Sequence, residues 1–328
     1  MRRDPAITGI VHLPWQPAQA CPCGSGNQYA ACCRRSDSSP YKKIGLYKPP
    51  PAATGYSHPG CYMNWTRDCS PKISGEHFIS ETVLSILNPK MLRIGGAAWI
   101  PNGETRDLPL AALQANVLCT RHNSAWSPLD AMAGEFFRAL TEIYDDLGRR
   151  TLSRKRVWHF FSGEELELWL LKTILGFFHS GVLSKDGRKI SEEQTIMNPA
   201  IEAAYDTGRL LEPCGAYVLK SGTVSAQPGS LEFASLSNET DERIVGCRLT
   251  MMGLVTTLFT DPNMINRHLF TVDHSYRPDY LFYRNDRRRH AIVLTWPPRP
   301  ARRAVEFKMN SRPTKPSRSV RPVVAPAS

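Results

Sequence analysis

Nine cysteines in a chain of 328 residues constrain this protein more than any other feature. Four lie in one short run, Cys21-Pro22-Cys23-Gly24-Ser25-Gly26 followed by Cys32-Cys33, with little nearby that could form a hydrophobic core. Such a segment cannot fold by burial alone. Four soft thiolates around a flexible Gly-Ser-Gly turn suit tetrahedral zinc, whose binding energy then becomes the folding energy of the knuckle. A second set joins Cys61 and Cys69 to Cys119-Thr120-Arg121-His122, fifty residues downstream of Cys69. Three sulfurs and one imidazole complete a structural zinc set, and two distant halves joined this way would staple a loop-rich domain. The start, Met1-Arg2-Arg3-Asp4-Pro5, has no apolar run behind its charges. No export signal is therefore expected, the chain is placed in the cytoplasm, and its cysteines are read as ligands in preference to disulfides. Cys214 and Cys247 stand alone and read as small buried hydrophobes.

With 41% apolar and 22% charged residues, the chain cannot be wholly disordered or fibrous. Its longest apolar stretch, Leu166 to Phe178, is interrupted by Glu167, Lys172 and Thr173, so no membrane span is expected. The net charge of +11 is unevenly placed: from Pro297 to Ser328 eight bases face one acid, Glu306. That Pro-rich stretch reads as a disordered tail, either solvating the chain end or contacting nucleic acid without sequence preference.

The organisation reads as α+β, with helices followed by strands. Residues 1–40 form the zinc knuckle, 41–56 a Pro-rich linker, 57–148 a zinc-stapled core, 149–296 an α+β domain that is helical and then β, and 297–328 the tail. The core carries a hairpin around Pro101-Asn102-Gly103. It closes with a helix whose apolar positions Leu129, Met132, Phe136, Leu140, Ile143 and Leu147 recur at helical spacing. Ser127 and Pro128 suit its cap and first position. A second helix starts at Ser162-Gly163-Glu164-Glu165, which has capping-box spacing, and a shorter one at Asn198-Pro199. Strands are expected over Ala216–Leu219, Val245–Phe259, Leu269–Asp273, Tyr280–Tyr283 and Ala291–Trp296.

Two segments resemble known families. Residues 21–33 resemble the SEC-C zinc motif in their C-x-C-G-S-G start, Tyr29 and terminal Cys-Cys pair. That resemblance implies zinc and a protein partner docked through the knuckle, although Asn27 and Gln28 stand where the family usually has lysines. The stretch from about Cys61 to Asp130 resembles the HNH (ββα-metal) endonucleases. It carries Glu76-His77 within Ser74-Gly75-Glu76-His77-Phe78-Ile79-Ser80, a Gly95-Gly96 turn, then Cys119-x2-His122-Asn123.

The HNH resemblance implies His77 as general base, Glu76 and Asn123 as ligands of a divalent cation, expected to be magnesium, and nucleic acid as substrate, DNA ahead of RNA. Phosphodiester hydrolysis needs both parts, a base for the water and a cation for the charge on phosphate and leaving oxygen. The asparagine that orients the base in the family is replaced by Gln114 here, with Asn116 two residues later as the other candidate. The final helix position, often a second histidine, is Ser127, and Pro128 argues that the helix begins after Asn123. The alternative is a non-catalytic zinc protein that binds nucleic acid or protein through a degenerate HNH-like core, with Glu76 a surface acid and His77 satisfied by backbone.

Overall fold

Short β-branched and aromatic runs alternate with longer apolar-periodic segments, and the result is a mixed α+β fold. The computed structural model describes residues 13–88, 90–101, 103–149, 157–185, 188–189, 199–220, 223–224, 230–237, 244–262, 273–298 and 303–309. Strand β1 (Ile73–His77) leads through helix α1 (Glu81–Leu87) to β2 (Met91–Gly95), β3 (Thr105–Pro109) and β4 (Gln114–Cys119), which enters helix α2 (Thr120–Gly148) directly. Strand β5 (Trp158–Ser162) precedes α3 (Gly163–His179), the two-residue strands β6 (Ser184–Lys185) and β7 (Arg188–Lys189), and α4 (Pro199–Thr207). The rest is β: β8 (Gly215–Leu219), β9 (Thr223–Val224), β10 (Ser230–Ser237), β11 (Ile244–Met251), β12 (Leu254–Phe259), β13 (His274–Tyr276), β14 (Tyr280–Arg284), β15 (Arg289–Thr295) and β16 (Ala304–Met309). Among the described residues no helix is long and apolar enough to cross a membrane.

Helix α3 occupies the centre, with every residue from Gly163 to Phe178 buried. A helix buried on all sides belongs between layers. This one touches α2, β4 and β5 as well as strands of both large sheets, β12 and β15. Its N-terminus forms as the capping box requires, Ser162 Oγ accepting from the Glu165 N–H at 3.2 Å. A seven-stranded sheet runs in the order β13-β8-β12-β11-β10-β2-β3, and a five-stranded one in the order β5-β15-β14-β16-β9. The expected division at residue 148 does not separate the sheets, because β2 pairs in parallel with β10, Ile94 beside Leu231. Gly96 is what allows the approach. A Cβ there would stand 1.7 Å from the Phe233 carbonyl oxygen, and its φ of +93° lies in the region that favours glycine.

Helix α2 begins at Thr120, eight residues before the expected start, and Pro128 lies inside it. The reason is local. Pro128 has no N–H to give the Ser124 carbonyl, and the Ser127 hydroxyl donates to that oxygen instead, at 2.9 Å. Asn123 therefore sits on the helix.

Two further expectations are corrected. Residues 41–47 of the expected Pro-rich linker strap α3: Tyr41 donates to Glu164, Lys42 pairs with Glu165 at 2.8 Å, and Tyr47 donates to Glu165. The basic tail does not begin at Pro297, since Ala304–Met309 is strand β16, between β14 and β9, with Val305 and Phe307 buried. Alternating apolar residues outweigh the flanking charge there. Residues 310–328 and most of the expected strand Leu269–Asp273 lie outside the described residues. Strands β5 and β10 were not expected from the sequence.

Buried charge on α3 has to be paired. Glu167 is fully buried, accepts from Arg277 Nε and Nη2 at 2.8 Å each, and takes the Ala216 N–H at 2.7 Å. Arg277→Leu should strand that carboxylate and cost about 3–5 kcal/mol, measured by urea denaturation. A loss under about 1 kcal/mol would show that the pair does not hold α3 to the sheet.

Candidate metal centres and active site

In the N-terminal knuckle, Gly24 and Gly26 adopt φ of +80° and +78°, which turns the chain between the two cysteine pairs. The Cys21 N–H closes on the Asn27 carbonyl at 2.7 Å. Cys23 and Cys32 Sγ lie 3.5 Å apart, and Cys32 and Cys33 Sγ 3.7 Å. Thiolates about 2.3 Å from a tetrahedral zinc stand about 3.7–3.8 Å apart, so this spacing fits the metal and is far too long for a disulfide. All nine cysteines are free. Burial pushes the Cys23 thiol up, but hydrogen bonds from Ser25 and Cys21 outweigh it and bring the pKa down to about 6.

The knuckle is seated on the five-stranded sheet. Buried Cys21, Tyr29 and Cys33 form one apolar cluster with Phe160, Tyr280, Phe282 and Val293. The Trp15 ring meets Trp158 and Phe160 edge-on, with centroids 6.3 and 5.2 Å apart. Arg35 donates to the Trp296 carbonyl at 2.8 Å. One face of the module is therefore covered by its own chain.

The second centre is buried completely: Cys61, Cys69, Cys119 and His122 are at most 1% exposed. Their ligand atoms lie within 4.8 Å of one another. His122 Nδ1 is 3.1, 3.7 and 3.8 Å from the sulfurs of Cys119, Cys61 and Cys69. Thr66 fixes the tautomer. Its hydroxyl donates to the Met63 carbonyl at 2.8 Å, so toward His122 Nε2, 3.1 Å away, it can only accept. The ring proton is then on Nε2 and the lone pair on Nδ1, toward the sulfurs. Burial takes the imidazole pKa down to about 4, which keeps it neutral as a ligand must be. Burial raises the Cys61 thiol, whereas at Cys119 the His122 and Ser70 N–H groups outweigh burial and lower it. Both centres fit structural zinc.

Above this centre, β1 and β4 pair antiparallel and β4 continues into α2, a ββα unit with the staple at the strand-to-helix junction. Gln114 lies opposite His77 in register, its Nε2 3.2 Å from His77 Nε2. Burial lowers the His77 pKa, against the Glu81 carboxylate and a hydrogen bond to the Leu110 carbonyl, so the ring is neutral at physiological pH. Asn116 is exposed farther along β4, its Oδ1 3.7 Å from where a Cβ on Gly75 would stand. Gln114, not Asn116, touches the histidine.

Successive strand residues point to opposite faces, so Glu76 leaves the face opposite His77. Its carboxylate is 8% exposed and paired with Lys172 Nζ, which also holds Asp130 Oδ2 at 2.6 Å. Asn123, in the first turn of α2, donates from Nδ2 to Ser74 Oγ at 2.8 Å. The three expected residues are thus not gathered round one point. Asn123 joins α2 to β1 at Ser74, Glu76 reaches α2 only through Lys172 of α3, and His77 occupies the other side. Sequence reading missed Asp130 and Lys172. The available signals were Asp130 seven residues after Asn123, hence on the same helix face, and a lysine inside an otherwise apolar run.

Residues 19–35 match the SEC-C motif. The match covers the four-cysteine knuckle and carries zinc binding there. No curated protein and no solved structure matches the chain significantly.

Purified protein should carry two zinc ions by elemental analysis. Thr66→Val, which removes the acceptor for His122 Nε2, should weaken the second centre by about 10–100-fold in chelator competition and leave the SEC-C knuckle unchanged. Equal competition at both centres would mean that Thr66 does not orient the ligand.

Proposed function

We propose that the chain is a metal-dependent, HNH-like endonuclease that hydrolyses phosphodiester bonds of nucleic acid, DNA ahead of RNA. The observation that carries this reading is His77. A neutral imidazole, steadied by the Leu110 carbonyl and Gln114, stands at the end of β1 in a ββα unit whose helix begins at the zinc staple. His77 takes a proton from the attacking water. A divalent cation, magnesium by its preference for oxygen ligands, would neutralise charge on the phosphate and leaving oxygen. The HNH resemblance assigns that cation to Glu76 and Asn123, which stand on the face of β1 opposite His77, and the Asn123 amide oxygen takes no part in the bond to Ser74. Asn116 keeps a secondary place, on the His77 face of β4.

A cytoplasmic setting, which keeps thiols reduced, suits both zinc sets. The face of the SEC-C knuckle turned away from the sheet remains for a protein partner. The Lys172 contact favours a second reading, a non-catalytic zinc protein, because it engages the carboxylate assigned to the cation.

With magnesium or manganese, His77→Ala should lower cleavage of plasmid and single-stranded substrates about 10²–10⁴-fold while two zinc ions and folding persist. The pH profile follows from the neutral base. Activity should be full above about 6.5 and fall as pH drops through the lowered His77 pKa. Residual cleavage equal in wild type and His77→Ala would sink the endonuclease reading, and silence from both would favour the second.

The tail needs a shorter deletion than its composition indicates. Removing 297–328 takes β16 from the sheet, whereas removing 311–328 leaves it intact. The shorter deletion should flatten the salt dependence of nucleic-acid binding, since each phosphate neutralised releases a counterion. An unchanged slope would assign these bases to solvation alone.

A further inference from the structure

We propose that Glu76 and Asp130 form a divalent-cation site that Lys172 fills in the resting protein, so that the cation and the ammonium compete for the same two carboxylates. The catalytic meaning of this site rests on the endonuclease reading, but its geometry stands apart from it. Three elements meet here: β1 supplies Glu76, α2 supplies Asp130 and α3 supplies Lys172. Lys172 Nζ contacts Glu76 Oε1 and, at 2.6 Å, Asp130 Oδ2.

A single lysine serves two acidic side chains in a site from which solvent is largely excluded. Glu76 is more than nine-tenths buried, and the Lys172 side chain is 7% exposed. The second oxygen of Glu76, Oε2, is buried with no hydrogen-bond partner, while Asp130 has the Trp169 indole N–H beside it. The contrast with the rest of α3 is informative. Glu165 uses one oxygen for Lys42 and the other for Tyr47, and Glu167 gives both to Arg277. Those contacts are closed, whereas Glu76 is half-satisfied.

A buried carboxylate oxygen without a donor is costly, and a lysine offers only a point charge on a flexible stem. A hard divalent ion meets the need better, because it takes oxygen ligands and can be held by one or two carboxylates. The geometry also says which acid accompanies Glu76. Asn123 and Asp130 share a face of α2 but are two turns apart, about 10 Å along the axis. Asn123 is held at Ser74, and Asp130 meets Glu76 through Lys172.

Zinc-loaded protein and Mn²⁺ provide the test. Lys172→Met, which keeps most of the apolar stem, should bind Mn²⁺ about tenfold or more tightly than wild type, as counted by the electron paramagnetic resonance of free Mn²⁺. Adding Asp130→Asn should erase the gain. The indole N–H of Trp169 lies beside Asp130 and lowers its pKa as a hydrogen-bond donor, so bound Mn²⁺ should quench the Trp169 fluorescence. Should Lys172→Met unfold for want of a counter-charge, Mn²⁺ should refold it, followed by circular dichroism. Equal Mn²⁺ affinity in wild type and a folded Lys172→Met, or no recovery of an unfolded one, would overturn the proposal. The two readings fail separately: a Mn²⁺ gain without cleavage removes the endonuclease and keeps the site, and cleavage without the gain removes the site alone.

Discussion

Helix α3 is buried on every side and yet carries Glu164, Glu165, Glu167 and Lys172. Removing a charge from water costs several kcal/mol unless a partner is supplied, so each residue dictates what must lie beside it. Glu164 and Glu165 require the strap, through Tyr41, Lys42 and Tyr47. Glu167 requires Arg277 from the C-terminal half, and Lys172 requires Glu76 and Asp130 from the ββα unit. Segments from residue 41 to residue 277 are thereby tied to one helix, which is why stretches that read as separate domains share a core.

The two zinc centres act at different levels of this arrangement. The second joins the segment before β1 to the junction of β4 and α2, and so sets the start of the helix that carries Asn123 and Asp130. Its fit depends on one hydroxyl: Thr66 has a single proton, spends it on Met63, and so determines which nitrogen of His122 can hold metal. The SEC-C knuckle folds around its own four sulfurs, and then lends Tyr29 and Trp15 to the outer face of the five-stranded sheet. Zinc there organises a small apolar surface that a short loop could not hold alone.

Strand β1 divides the chemistry. Alternation sends His77 toward Gln114 and the more open face, and Glu76 toward α2 and α3. A proton acceptor and a charge cluster thus stand back to back on adjacent residues. The partly exposed ring is kept neutral mainly by burial. The carboxylate is raised by the same cause, with Lys172 opposing it.

The sequence by itself determined both zinc ligand sets, because thiolate and imidazole spacing is a local signature of a metal whose bonds are few and strong. It determined the cap at Ser162, the hairpin and most C-terminal strands, where periodicity and turn residues speak within a dozen positions. The continuity of α2 through Pro128 was hidden, since it depends on a side-chain bond from Ser127 that composition does not announce. The strand at Ala304–Met309 was obscured by surrounding bases and prolines, and its pairing with β14 is a contact between separated segments. Only the tertiary structure decided which acids Lys172 and Arg277 would meet. Pairing of buried charges is enforced by desolvation across elements far apart in sequence, and no local pattern of residues encodes the partner.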